Sequence, residues 1–202
     1  MKPRVLLVHG LWMNAPSLFF WAKQLRVAGY RPICFSYKSL LHAPEHSMAR
    51  LRAAALAEPN THILAHSLGG LVALKAMADC TDFNGNIICV GSPLTGSQVV
   101  RRYAATPLSK LAGRNLALLG AGIDVVPDGL RVIAIAGTKA QGLGRVFHRF
   151  SEPNDGTVTV SETQVPGLAA HIQVHASHSG QLFSRKVMTQ VLGILQSPQP
   201  AV

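Results

Sequence analysis

Short apolar runs alternate along the chain with longer stretches in which apolar residues recur every three or four positions. Residues 4–9 form the first run, rich in Leu and Val and closed by Gly10, the pattern of a strand buried on both faces. A helix follows, with Pro16 in its first turn, an apolar stripe of Leu18, Phe19, Trp21, Leu25 and Val27, and Gly29 as terminator. Residues 32–37 predict a second strand. Pro44 then opens a helix carrying Met48, Leu51, Ala55 and Leu56, and Pro59 stops it. The third strand is expected at 61–65, the next helix at 67–78 and the fourth strand at 86–90. Beyond Gly91 the chain is punctuated by Pro and Gly as far as Gly129, and a cap-like insertion around 97–128 is expected to hold one short helix at 108–119. A fifth strand at 131–136, a loop at 137–167, a last strand at 171–175 and a closing amphipathic helix at 181–195 complete the order. Strands and helices at this spacing imply an α/β fold of about six mainly parallel strands with helices on both faces and a minimal cap, in a single domain over residues 1–202.

The chemistry begins where the third strand meets its helix, at Ala65-His66-Ser67-Leu68-Gly69-Gly70. A serine on so tight a turn needs small residues two before and two after it, because larger side chains would collide with neighbouring backbone. Ala65 and Gly69 meet that requirement. The serine then projects above the strand ends, over a helix N-terminus that favours negative charge developing on a substrate oxygen. A serine that only capped a helix would not need Ala65, Gly69 and Gly70 around it, so Ser67 reads as a nucleophile.

Three loops and a histidine extend the pattern: Val8-His9-Gly10-Leu11-Trp12 after the first strand, Gly91-Ser92-Pro93-Leu94-Thr95-Gly96-Ser97 after the fourth, Asn154-Asp155-Gly156-Thr157-Val158 after the fifth, and His178 after the last. With them the chain resembles the α/β-hydrolase superfamily over nearly its whole length, and within it the small bacterial lipase- and esterase-like serine hydrolases with little or no lid. Ala65 stands where the first glycine of the motif is commoner. The resemblance implies a Ser67, His178 and Asp155 triad, an oxyanion hole made by the backbone N–H groups of Leu11 and Leu68, and no cofactor. Trp12, His66 and Leu94 are expected to line or support the substrate pocket.

His9 reads as holding its loop rather than as a base. His175 is the close competitor of His178, expected as the final residue of the last strand with its ring turned into a helix layer. Asp155 lies in an Asn-Asp-Gly turn able to present its carboxylate to the histidine, whereas Asp124 and Asp128 precede the fifth strand on its wrong side. The expected activity is cleavage of a carboxylic ester, on a small molecule or a lipid, through an acyl-enzyme. Acyl transfer or thioester cleavage would use the same triad, and a non-catalytic binding module retaining the fold is the alternative from another class.

Composition narrows the picture. With 48% apolar and 14% charged residues in 202, the chain can bury a core of ordinary size. No run approaches the roughly 18 uncharged residues of a membrane-spanning helix, and the run at 5–8 is shorter than a signal-peptide core of about 7–15. Cys34, Cys80 and Cys89, at no metal-like spacing, read as reduced thiols, so a soluble cytoplasmic protein is expected. The 19 Lys and Arg against 9 Asp and Glu give a net charge of +10. These cations are dense only at Arg101-Arg102 and at 145–149, without interleaved aromatics, so nucleic acid is not an expected partner, while the charge leaves room for peripheral contact with an anionic membrane. His171, His175 and His178 have no thiolate or carboxylate at ligand spacing, so no metal is expected. Gly142 and Gly144 open no βαβ unit and so make no dinucleotide fingerprint.

Overall fold

Six strands form one parallel sheet in the order β2-β1-β3-β4-β5-β6, where β1 is Arg4–Val8, β2 Arg31–Phe35, β3 Thr61–His66, β4 Asn86–Val90, β5 Arg131–Gly137 and β6 Ala170–Val174. The computed structural model describes residues 2–141 and 150–197, so the basic run at 145–149 and Gly142 and Gly144 lie outside the described residues. β1 pairs on one side with β2, Val8 opposite Phe35, and on the other with β3, Val8 opposite Ala65. The chain therefore runs outward from β1 to β2 and then crosses back to β3. In an open parallel sheet that reversal leaves a crevice above the carboxyl ends of the strands, where no crossover covers them.

Both faces of the sheet are covered, which is why its strands read as continuous apolar runs. Alternate residues part to opposite sides. Leu6, Val8, Ile63, Ala65, Ile87, Cys89, Val132 and Ala134 join one core with α2 (Pro44–Leu56) and α3 (Leu68–Met77). Val5, Leu7, Leu64, Ile88, Val90 and Ile135 join a second core with α1 (Phe19–Val27) and the closing helix. α3 is apolar nearly all round and packs against both α2 and the sheet. Cys80 and Cys89 are buried and Cys34 half-buried, all three as free thiols, and burial pushes the Cys89 thiol up to about 12. No described helix is long and apolar enough to cross a membrane.

Four local expectations are corrected. Ala15–Leu18 is a 3₁₀ turn, and its tighter winding rotates α1 so that Leu18, Trp21, Ala22 and Leu25 face the core while Phe19 and Val27 are exposed. The expected single cap helix is three pieces. After α4 (Gln98–Tyr103), Pro107 opens a new turn, and the 3₁₀ stretch Pro107–Asn115 is itself interrupted at Gly113, whose φ of 57° breaks the helical path before α5 (Leu116–Ala121). The closing helix is also split. A 3₁₀ turn Gly180–Phe183 ends at extended Ser184, whose hydroxyl accepts Val187 N–H at 3.3 Å and starts α6 (Arg185–Gln196). Finally, β6 ends at Val174, so His175 lies past the strand and is exposed rather than turned into a helix layer.

Candidate active site

The turn between β3 and α3 stands over the crevice. Ser67 has φ 54° and ψ −125°, a conformation that costs an L-residue about 1–3 kcal/mol and persists only where its surroundings hold it. They do so sterically. A Cβ on Gly69 would lie 2.7 Å from the carbonyl oxygens of Val8 and His9, and one on Gly70 would lie 2.7 Å from Ser92 Cβ. α3 can thus start directly beneath the serine only with glycine at both positions. Ser67 N–H donates to Val90 O at 2.9 Å, which ties the turn to the end of β4.

The loop after β1 lies against this turn, since a Cβ on Gly10 would come within 3.0 Å of Ser67 Cβ. Leu11 is the next residue, and Leu68 N–H, first in α3, has no partner within its helix. His9 is fully buried and stacked on Tyr37, with ring centroids 4.4 Å apart. Its Nδ1 lies 2.9 Å from Gly10 O, and Tyr37 Oη–H donates to His9 O at 2.8 Å. Burial lowers the His9 pKa, so the ring is a neutral strut for the loop.

His178 joins the elements. Its Nε2 lies 3.0 Å from Ser67 Oγ, and its Nδ1–H donates to Asp155 Oδ2 at 2.7 Å. Asp155 is buried, and its Oδ1 accepts Thr157 N–H at 2.9 Å and Val158 N–H at 2.8 Å. Burial pushes the Asp155 carboxyl up, but the His178 charge and hydrogen bond and the two backbone donors outweigh it and hold the group below the ordinary carboxylate range. His178 N–H also donates to Asp155 O at 2.8 Å, so acid and base loops are joined through backbone and side chain alike. The other candidates lie apart. Asp124, Asp128 and His175 are exposed, and His171 bonds Thr163 Oγ1 at 2.8 Å. Among the described residues no group of three His, Cys, Asp or Glu is placed to hold a metal.

Three supporting residues escaped the sequence reading. Gln181 is fully buried and donates from Nε2 to Asp155 Oδ2 at 2.8 Å, while its backbone carbonyl accepts Trp21 Nε1–H at 3.3 Å. The available signal was Gly91 and Gly137, one just past β4 and one closing β5. A Cβ at either would come within 2.8 Å of the Gln181 amide, so the glycines make its space. Tyr37 holds the His9 loop as described. Glu162 ties the acid loop to the cap, its Oε2 accepting Thr159 N–H and its Oε1 accepting Gln98 N–H at the start of α4. Burial raises the Glu162 pKa against those donors.

The three expected pocket residues separate. Trp12 is 55% exposed and lines an apolar cavity of about 90 Å³ with Leu11, Val99, Val100, Tyr103, Leu111, Ala112 and Leu116. Its Nε1–H donates to Leu111 O at 2.9 Å, joining the His-Gly loop to the cap. Leu94 is 0% exposed and packs in the α3 core, because its loop is drawn under α5 by Ile123 N–H bonding Leu94 O and Ser97 N–H bonding Leu119 O. Leu94 is core, not a pocket wall. His66 is 1% exposed, edge-on to Trp21, and its Nε2–H donates to His178 O at 3.0 Å. It supports the base loop from beneath instead of lining open space, and burial, with the neighbouring His178, holds its pKa down to about 3.

Comparison with known proteins identifies the fold. No curated protein matches the chain in sequence. Among solved structures, Bacillus licheniformis lipase BlEst2 in its propeptide form superposes with a TM-score of 0.83 at 19% identity, over 100% of this chain and 52% of that one. The chain thus spans about half the length of that form. The mature form of the same lipase gives a TM-score of 0.80 at 19% identity, over 96% and 92%. Phospholipase PlaB from Legionella pneumophila gives 0.69 at 15%, over 97% and 60%. These likenesses concern the fold, and residues 5–186 also match a sequence family as a whole. The six-stranded parallel sheet is accordingly that of a family member, and the chain belongs to the alpha/beta hydrolase family.

Proposed function

We propose that the protein hydrolyses carboxylic esters through an acyl-enzyme formed on Ser67. The observation that carries this reading is the continuous chain from Ser67 Oγ to His178 Nε2 at 3.0 Å and from His178 Nδ1 to buried Asp155 Oδ2 at 2.7 Å. A hydroxyl so placed loses its proton to the imidazole as its oxygen attacks an ester carbonyl, and the carboxylate stabilises the imidazolium that forms. The N–H groups of Leu11 and Leu68 receive the tetrahedral oxygen, beside the N-terminus of α3. His178 then returns the proton to the leaving alcohol as its C–O bond breaks. Water, deprotonated by the same ring, releases the acid and restores Ser67.

The apolar cavity starts at Leu11, beside the proposed oxyanion donors. Its 90 Å³ equals the liquid volume of roughly three waters, enough for the first few carbons of an acyl chain. Longer chains would extend over exposed Trp12 and Leu111, where each added methylene gains less than it would on full burial. Turnover should therefore favour short acyl esters with modest length selectivity. The test is a panel of p-nitrophenyl esters of increasing acyl length beside matched thioesters and anilides, with wild type and Ser67→Ala. Ester turnover that is abolished in a folded Ser67→Ala variant is expected; turnover confined to anilides or thioesters would contradict the reading.

A further inference from the structure

The nine acidic residues are unevenly placed. None occurs before Glu45, and none occurs from Phe83 to Ile123. Those two stretches supply the His-Gly loop and the cap from α4 to α5, which line the apolar cavity, and the turn at 38–42, which is hydrogen-bonded to the cap. Exposed Lys38, Arg102, Lys110 and Arg114 belong to them, and none of the four forms an ion pair among the described residues. Glu45 shares a cleft with Arg114 without pairing to it.

Large apolar side chains stand out among these cations. Trp12 is 55%, Leu41 67% and Leu111 45% exposed. Hydrogen bonds join their segments into one patch. Trp12 Nε1–H bonds Leu111 O at 2.9 Å, Arg114 N–H bonds Leu40 O at 3.3 Å, and Leu41 N–H bonds Lys38 O at 3.1 Å. Asn115 Nδ2–H bonds Ser39 O as well, so the 38–42 turn is fastened to the cap. Trp12 is held in this position at φ 58°, outside the range an L-residue prefers. Contiguous exposed apolar residues rimmed by one sign of charge mark a binding surface.

We propose that this face docks on an anionic lipid bilayer. Trp12, Leu41 and Leu111 enter the headgroup boundary while Lys38, Lys110 and Arg114 meet lipid phosphates, which brings the cavity mouth against the membrane surface. A polynucleotide fits less well, since Trp12 is the patch's single aromatic among these residues and successive bases need several stacking platforms. The docking goes beyond ester hydrolysis and rests on that reading only for the meaning of the mouth; binding is measured without turnover, so each can fail alone.

The test uses the full chain with vesicles of phosphatidylcholine alone or mixed with phosphatidylglycerol. Of the two tryptophans Trp21 is fully buried, so a blue shift in emission on binding reports Trp12. Wild type is expected to co-sediment with the anionic vesicles only, with the blue shift, and to be released by salt. The triple variant Lys38→Ser, Lys110→Ser, Arg114→Ser should bind about a hundredfold more weakly, at about fivefold per cation. Leu41→Ser should bind about tenfold more weakly. Both variants should keep the wild-type melting temperature and turnover of a soluble short ester. Equal binding to neutral vesicles, no vesicle binding, unchanged binding by both variants, or capture of duplex DNA in place of vesicles would each overturn the proposal.

Discussion

The ring of loops around Ser67 and the cap segment from Gln98 to Ala121 rise from the same end of the sheet, yet they are held by different means. In the ring, glycines sit where backbone and buried side chains leave no room for a Cβ. Gly69 faces Val8 O and His9 O, Gly10 faces Ser67 Cβ, and Gly137 faces Asp155 and Gln181. The cap has such close seats where it meets the 38–42 turn, Gly113 against Leu40, and the loop after β4, Gly122 against Gly96 and Thr95, but it hangs besides on separate polar tethers, Asn115 to Ser39, Trp12 to Leu111, Arg101 to Thr95 O and Gly120 O, and Glu162 to Gln98. Close packing of the first kind specifies a conformation steeply, whereas single hydrogen bonds contribute only about 1 kcal/mol each. The part of the molecule that holds a 3.0 Å hydrogen bond is built the first way, and the solvent-facing cap combines the first with the second.

Glycine-to-alanine exchanges sharpen this contrast with the largest expected effect. Gly69→Ala should lose about 3 kcal/mol, since the methyl group meets fixed carbonyl oxygens and not a side chain that can turn away. Gly120→Ala, with nothing within 4 Å of its added carbon and a place in α5, should gain up to about 1 kcal/mol from helix propensity. Denaturant unfolding of both variants measures the difference, and equal effects would remove the distinction between ring and cap.

Acid should break the ring before the cap. His66 takes up a proton near 6.5 in the unfolded chain but only near 3 when folded. Between those values the unfolded state binds more protons, so stability falls as pH falls, by on the order of 1 kcal/mol per pH unit. His9 and His62, also lowered by burial, add in the same direction. Asp155, held low, contributes stability that is present above its unfolded value and lost only as pH drops through its folded one, a more acidic window. Melting temperatures from pH 7 to 4 should therefore decline in wild type and less steeply in His66→Asn. Parallel curves for the two proteins would count against a buried neutral His66.

Gln181→Leu should act on rate more than on fold. The exchange keeps the buried volume and removes one donor from Asp155 Oδ2, while Gln181 Oε1 has no partner to lose. An expected fall of about tenfold in kcat with unchanged KM follows from loss of a hydrogen bond to a charged group. A change in KM alone would mean that Gln181 shapes the pocket instead. Smallest of all, Trp12→Phe removes an exposed tether to Leu111 O and should shift KM by about twofold, with stability changed by less than about 1 kcal/mol in chemical unfolding. A loss as large as that of Gly69→Ala would show that the cap is structurally coupled to the ring.

The same difference in construction decided what could be read from sequence. β4 appears at its predicted bounds and the sheet has its six strands, because buried parallel strands leave unbroken apolar runs between glycines. The Ser67 turn was legible because its sterics demand Ala65, Gly69 and Gly70 at fixed spacing. The cap was not, since three short helical pieces and one predicted helix share the same leucines, and only Pro107 and the φ of Gly113 tell them apart. Leu94 was misplaced for a related reason. A leucine after a strand fits a pocket wall or a core equally, and the hydrogen bonds that pull its loop under α5 come from residues 119 and 123. Gln181 escaped because a polar residue at the start of an amphipathic helix carries no periodic signal.

The central claim is that Ser67 carries the acyl group and that His178 activates it. Pre-steady-state hydrolysis of a p-nitrophenyl ester, quenched early and mapped by peptide mass spectrometry, tests both parts in wild type, Ser67→Ala, His178→Ala and His175→Ala. Wild type and His175→Ala should release about one equivalent of nitrophenolate in a burst and carry the acyl mass on the peptide containing Ser67. Ser67→Ala should show neither, and folded His178→Ala should acylate about ten-thousandfold more slowly. An acyl group on any other residue, or a folded His178→Ala protein that acylates at the wild-type rate, would contradict the account.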